Sequence, residues 1–163
     1  MTTNNESLPN KLVGIYAEYL LRLTDIEGVK RSIEALVVDD MPDSILARFT
    51  SLPEDVSRVA VLELLEASIR ESPATVPDGV AARRILARKY AEQIVDGTLS
   101  PYEGARRIWW ELWTDCRELK ELAIFAGLAS EYEDDSSEAH RSEYQRDIVD
   151  EACVLLRNAH SNS

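Results

Sequence analysis

A helix stop followed at once by a helix start, near the middle of the chain, constrains the fold more than any other feature of the sequence. Gly97 follows a helical pattern over 79–96, and glycine often ends a helix because it adopts the left-handed backbone without strain. The combination Ser100-Pro101-x-Glu103 then has the form of a capping box with proline at the first helical position. Two helices joined by so few residues predict an α-helical hairpin.

Apolar residues at helical spacing also mark the first third of the chain. The pattern predicts one helix over 9–24 and a second that Asp25 caps and that continues to Val38. The stretch 35–39 (ALVVD) also fits a short buried strand. Helix is favoured there because the sequence offers no second strand to pair with it.

Two further capping boxes predict where other helices begin. Ser51-x-x-Glu54 opens a helix that runs to about residue 71, and Asp135-x-x-Glu138 opens the last helix, which runs to about residue 159. In each box we expect the first side chain to accept a hydrogen bond from the backbone N–H three residues later.

The chain has only six glycines and six prolines in 163 residues, which argues against a turn-dense β architecture. We predict an all-α fold: one helical domain over residues 1–163, a single-domain bundle of about seven helices. The loop 72–79, with two prolines and a glycine, is the one candidate subdivision. The tail 160–163 is polar, and we expect it to be frayed.

The charge of the chain excludes several classes of partner. Lys and Arg total 18 against 30 Asp and Glu, so the net charge is −12. Binding to nucleic acid or to an anionic membrane needs a surplus of basic residues, so we expect neither. The first ten residues lack the features of a signal peptide, and no apolar run approaches the length of a membrane span, which predicts a cytoplasmic protein. The partner that fits is a protein with a basic face.

The sequence contains no recognisable catalytic or cofactor motif, which favours a protein that is not an enzyme. It has no glycine-rich phosphate loop, no HExxH and no GxSxG. His140 and His160 have no zinc-ligand spacing, and Cys116 and Cys153 are expected to be reduced thiols. Cys116 and His140 would form a nucleophile pair only if the fold brought them together. We therefore predict no cofactor and no metal site.

The most polarised segment is 131–151, which holds nine carboxylates. Its first part, residues 131–135, is predicted to be an acidic connector between two helices. Three interpretations stay open: a solvated face that favours the N-terminus of the last helix, a surface that binds a basic partner, or a calcium site. The basic residues within 83–107 either pair with this connector or form a binding patch of their own.

Three tryptophans cluster on one predicted helix that runs to residue 115. At 100° per residue, Trp109 and Trp113 lie on the apolar side, whereas Trp110 lies outside it beside Arg106. Trp110 either covers a neighbouring helix or is exposed at an interface. We predict a partner-binding site formed by Trp110, Arg106, Glu131, Glu133, Asp134, Asp135 and Glu138.

Two segments carry a family resemblance. GTLSPYEGARRIW, residues 97–109, and GLASEYED, residues 127–134, resemble a group of small all-helical bacterial proteins, some with immunity-like roles. The resemblance covers about the last 80 residues. It implies a bacterial intracellular protein and brings no catalytic residues with it.

Two functions follow from these observations. The first is a non-catalytic cytoplasmic protein-interaction module, such as an immunity protein or an antitoxin-like inhibitor of a basic partner. The alternative is a small helical enzyme or ligand-binding domain whose site is built from scattered polar residues. A deep pocket with convergent carboxylates would favour the alternative.

Overall fold

Helices account for most of the residues described by the structure, a computed structural model that covers residues 7–36 and 41–161. No residue in these two ranges belongs to a β-strand, so the predicted all-α class is confirmed. The α-helices, numbered along the chain, are α1 (Leu8–Leu20), α2 (Ile26–Ala35), α3 (Asp43–Thr50), α4 (Arg58–Arg70), α5 (Gly79–Asp96), α6 (Pro101–Arg107), α7 (Ala123–Asp134) and α8 (Glu138–Ser161). Between α6 and α7 lie two shorter segments, a π-helical segment over Ile108–Trp113 and a 3₁₀ turn over Lys120–Leu122.

Some sequence predictions fall at the limits of these ranges. Asp25 caps α2 as predicted, because its carboxylate accepts a hydrogen bond from the Gly28 N–H at 2.7 Å. The predicted end of that helix at Val38, and most of the strand alternative for 35–39, lie outside the described residues. At the other end of the chain, α8 continues to Ser161 and the rest of the tail lies outside them too.

Contacts between residues divide the chain into two compact units, one up to Ala82 and one from Arg83 onward. The division falls in the first turn of α5, directly after the irregular loop over 72–78. Within the described residues, no helix is both long enough and apolar enough to cross a membrane.

In the first unit, α1 packs against α2 and α4, and α2 packs against α3. Tyr16 of α1 is buried in this unit, and its hydroxyl donates a hydrogen bond to Glu66 of α4 at 3.2 Å. Burial, together with the neighbouring Glu66 carboxylate, raises the pKa of Tyr16. The fully buried side chains of this unit include Ile33, Phe49, Val61, Leu65 and Ile69.

The first helix ends earlier than its apolar pattern predicts. It stops at Leu20 because Arg22 adopts a left-handed backbone, with φ 61°, and the Leu23 N–H turns back to the Glu18 carbonyl at 2.9 Å. Arg58 of α4 donates a hydrogen bond to the free carbonyl of Leu20 at 3.0 Å. A side chain distant in sequence thus helps to end α1.

The predicted capping box Ser51-x-x-Glu54 is wrong. Ser51 lies at the C-cap of α3, where its hydroxyl donates a hydrogen bond to the Arg48 carbonyl at 3.3 Å. The helix α4 starts six residues later than predicted, at Arg58, where the hydroxyl of Ser57 accepts a hydrogen bond from the N–H three residues on, at 3.2 Å.

In the second unit, α6 packs against α7 and α8, α7 packs against α8, and the π-helical segment packs against α7. The helices bury large apolar side chains almost completely, as expected for a protein interior at native packing density. The fully buried side chains here are Leu86, Ile108, Leu112, Leu119, Leu122, Phe125 and Ile148.

Candidate functional site

The predicted helix stop and start are confirmed, and the helix that begins there, α6, carries Arg106 in its last turn. Gly97 has φ 81° directly after α5, and the Ser100 hydroxyl accepts a hydrogen bond from the Glu103 N–H at 3.4 Å. The Glu103 carboxylate lies 3.7 Å from Arg106 and 3.5 Å from Arg107. Arg106 is therefore a half-exposed member of an ion-pair cluster on the outer side of α6.

The basic residues of the second unit have other partners than the sequence predicts. Arg84 of α5 pairs with Glu121 at 3.0 Å, and the two arginines of α6 pair with Glu103. The prediction that basic residues pair with the acidic connector is wrong for these three arginines. Arg88 is exposed and makes no ion pair with any residue that the structure describes.

The helix that carries the three tryptophans changes its geometry after Arg107. Over Ile108–Trp113 it is π-helical, and the Thr114 N–H closes the last wide turn on the carbonyl of Trp109 at 3.0 Å. The Thr114 hydroxyl donates to the same carbonyl at 2.8 Å. Such wide turns are rare and occur often at functional sites. The spacing of 100° per residue used for the sequence prediction therefore does not apply here.

Two apolar side chains form the buried face of this segment. Ile108 and Leu112 lie four residues apart, and both are fully buried. Trp109 and Trp113 are only partly buried, so the prediction that they form the core of this segment is wrong. The Arg117 guanidinium lies 3.9 Å from the centre of the Trp113 ring.

Trp110 is exposed. The residue is 54% accessible, which favours the interface alternative over a cover for a neighbouring helix. Its ring stacks on Trp109, with 4.7 Å between the ring centres and 22° between the planes. Because Trp109 is partly buried, the stack holds the exposed indole against the body of the second unit.

The acidic connector is also different from the prediction, because α7 continues through Asp134. Carboxylates at a helix C-terminus oppose the helix dipole, which is why the sequence suggests an earlier end. Tertiary contacts hold this turn: the Tyr132 ring stacks on Tyr102 of α6 at 4.3 Å, and the Tyr102 hydroxyl donates to Glu133 at 2.8 Å. That hydrogen bond is the main reason that the pKa of Tyr102 is raised.

Asp135 makes contacts within the turn between α7 and α8. Its carboxylate accepts a hydrogen bond from the Ser137 N–H at 2.7 Å and lies 2.8 Å from the Nδ1 atom of His140. Arg141 donates to the Asp135 carbonyl at 2.6 Å. The helix α8 is capped by Ser137, whose hydroxyl accepts from the His140 N–H at 3.5 Å, so the predicted capping box Asp135-x-x-Glu138 is wrong.

The predicted acidic site residues therefore differ in their surroundings. Glu133 and Asp135 are engaged by Tyr102 and by the turn, respectively, and the negative charge of Glu131 contributes to raising the pKa of Tyr144, after burial and Asp135. Asp134 and Glu138 are exposed, and their side chains have no bonded partner among the described residues. Glu131 is exposed as well, so these three carboxylates are available to another molecule.

Arg106 lies between Tyr102 and Trp110 in sequence. The three residues follow one another at intervals of four along α6 and into the π-helical segment. Tyr102 contacts the acidic end of α7 through Glu133, and with a rise of 1.5 Å per residue Trp110 lies about 12 Å farther along the helix. Tyr102 and Tyr132 are not among the predicted site residues, although each lies within one of the segments 97–109 and 127–134.

The acidic, cysteine and histidine side chains considered for metal binding and nucleophilic catalysis do not form such a site within the described residues. Across residues 7–36 and 41–161, no three His, Cys, Asp or Glu side chains are arranged to hold a metal ion. Cys116 and Cys153 are partly buried free thiols, and the imidazole of His140 is hydrogen-bonded to Asp135.

The contacts of Asp135 predict an acid dependence of stability. The Ser137 N–H, followed by His140, lowers the pKa of Asp135 in the folded protein. A lowered folded pKa contributes stability above the ordinary aspartate pKa of about 3.9, and this contribution is lost as the pH falls through the folded value. We expect Asp135→Asn to flatten the fall of unfolding free energy between about pH 4 and pH 2, measured by urea denaturation. Asp134→Asn is the control and should keep the wild-type slope; equal slopes in all three proteins would contradict this role.

The two segments that carry the family resemblance, 97–109 and 127–134, meet in the structure. Tyr102 from the first stacks on Tyr132 from the second and donates to the neighbouring Glu133. The family itself stays a prediction. No protein-family model matches the chain, and neither the curated proteins nor the solved structures yielded a significant match.

Proposed function

We propose that this protein is a non-catalytic cytoplasmic interaction module that binds a basic partner protein through the outer side of α6 and the end of α7. An immunity protein or an antitoxin-like inhibitor is the type of protein that fits. The observation that carries the proposal is Trp110, a large indole that is 54% exposed and stacked on Trp109. We call Trp110, Arg106, Asp134 and Glu138 the docking surface.

The stacked indole is suited to binding. Tryptophan and arginine are the residue types most enriched among those that dominate interface energies. A side chain already held in place loses little conformational freedom when a partner covers it, so more of its buried area contributes to affinity. Arg106, one turn before Trp110, adds a guanidinium that is half exposed and held by Glu103.

The charges favour a basic partner. The chain carries a net charge of −12, and Asp134 and Glu138 are exposed carboxylates at the end of α7 and the start of α8. Complementary charge accelerates association with a positively charged protein and opposes binding to nucleic acid or anionic membrane.

Trp110→Ala tests the docking surface directly. Wild-type and variant proteins carrying an affinity tag are incubated with lysate of the native host, and captured proteins are identified by mass spectrometry. We expect one basic protein to be retained by the wild type and lost with Trp110→Ala. Ile124→Ala is the matched control, because Ile124 is another exposed apolar residue of the second unit, 43% accessible. A partner retained equally by Trp110→Ala and wild type would refute the proposal.

Charge reversal at Asp134 and Glu138 tests whether these carboxylates accelerate association with a basic partner. With the captured partner purified, Asp134→Lys and Glu138→Lys should slow association about tenfold in low salt and less at physiological ionic strength, where the screening length is about 8 Å. Glu63→Lys, a reversal at an exposed residue of α4, serves as control. If Glu63→Lys slows association equally, net charge and not this surface is responsible.

A further inference from the structure

A groove in the second unit is separate from the docking surface. It lies between α5, the 3₁₀ turn Lys120–Leu122 and the last turns of α8, and its volume is about 570 Å³. Sites for small molecules commonly measure about 300–1,000 Å³, so the groove is of suitable size. It is lined by Arg84, Ala87, Arg88, Glu121, Leu122, Leu155, Asn158 and Ala159.

One wall of the groove is positively charged. Arg84 and Arg88 are one helical turn apart on α5, and both line the groove. The Nε atom of Arg84 donates to Glu121 at 3.0 Å, whereas Arg88 has no ion-pair partner in the described part of the chain. Two guanidinium groups therefore face one carboxylate. This leaves one positive charge in excess, in a chain whose net charge is −12.

The floor of the groove is apolar. Ala87 and Leu122 are almost completely buried beneath it, and the apolar side chain that is open to the groove is Leu155 of α8, which is partly buried. Asn158 adds one amide that can donate and accept hydrogen bonds. An apolar floor with a few polar groups at one side is the usual composition of a site that binds and orients a small organic molecule.

We propose that this groove binds a small organic anion, with its carboxylate on Arg88 and its apolar body on Leu155. A guanidinium group presents paired N–H donors that match the two oxygens of a carboxylate. An inorganic anion would satisfy the arginines but would leave Leu155 in contact with water. A cationic ligand would be repelled by the excess positive charge.

Octanoate is a suitable probe, because it combines a carboxylate with a short apolar chain. Its binding to the full chain can be measured by isothermal titration calorimetry and mapped by NMR. We expect saturable binding that Arg88→Gln weakens about tenfold. Glu121→Gln should strengthen it about threefold, because this substitution removes the negative charge paired with Arg84. Opposite effects of two substitutions are not expected from loss of folding.

Matched ligands and a matched variant complete the test. Octanamide has the same chain without the charge and should bind at least about tenfold more weakly, and inorganic phosphate should bind more weakly than octanoate. Arg146→Gln removes an exposed arginine of α8 outside the groove and should leave the affinity unchanged. The proposal is overturned if octanoate does not bind, if octanamide or phosphate binds as tightly, or if Arg88→Gln has no larger effect than Arg146→Gln. None of these results bears on the binding of a partner protein at Trp110.

Discussion

Leu112→Ala is expected to lower the free energy of unfolding by about 2–5 kcal/mol, whereas Trp110→Ala should lower it by about 1 kcal/mol. Leu112 is completely buried in the π-helical segment, so its truncation removes apolar contacts and leaves a cavity. Trp110 is more than half exposed, and its truncation removes only one stacking contact. Urea denaturation followed by circular dichroism measures both values.

Ile108→Ala is the parallel variant, because Ile108 is equally buried one turn earlier. We expect Ile108→Ala to lower the free energy of unfolding as much as Leu112→Ala does. This loss is a large part of a typical stability of about 5–15 kcal/mol. If Trp110→Ala destabilises the protein as much as these two variants, the indole supports the fold and the docking surface loses its anchor.

The same substitution at two glycines of the second unit should have opposite effects. A Cβ atom on Gly104 of α6 would lie 2.4 Å from the Cγ1 atom of Ile94, which is itself buried in α5. Gly104→Ala must displace that side chain, and we expect a loss of about 1–2 kcal/mol after the gain in helix propensity is included. Gly127 of α7 has open space at this position, so Gly127→Ala should raise stability by about 0.5–1 kcal/mol.

Thermal and urea denaturation of the two variants measure this difference, and each serves as the control for the other. Both glycines lie in helices, so helix propensity favours alanine at both positions. Only the close approach of α5 and α6 distinguishes them. Equal stabilisation by both substitutions would show that α6 can shift away from Ile94 at little cost.

Local signals predicted helix boundaries correctly where the neighbouring residues alone control them. Asp25 caps α2, and the pair Gly97 and Ser100 ends α5 and begins α6. In each case the group that satisfies the backbone lies within a few residues, so no tertiary contact is needed to determine the result. The box at Ser51 is wrong because Ser51 lies at the C-cap of α3, where its hydroxyl donates to the Arg48 carbonyl at 3.3 Å.

Other predictions required information from residues that are distant in sequence. The sequence predicts an acidic connector where α7 ends, but Tyr102 and Tyr132 stack there and Tyr102 donates a hydrogen bond to Glu133. The groove is another example, because Arg84 and Arg88 meet Glu121 and Leu155 only through the packing of three segments. Neither arrangement has a periodic signal in the sequence.

The sequence by itself determined the all-α class, most of the helices and the position of Trp110 outside the apolar stripe, because these depend on side-chain spacing and on groups within one helical turn. Only the tertiary structure decided which side chains are buried around the tryptophans. Ile108 and Leu112 are fully buried, whereas Trp109 and Trp113 are only partly buried although they lie on the predicted apolar side. The wide turns over Ile108–Trp113 depart from 100° per residue, and a pattern that assumes regular α-helix does not contain that departure.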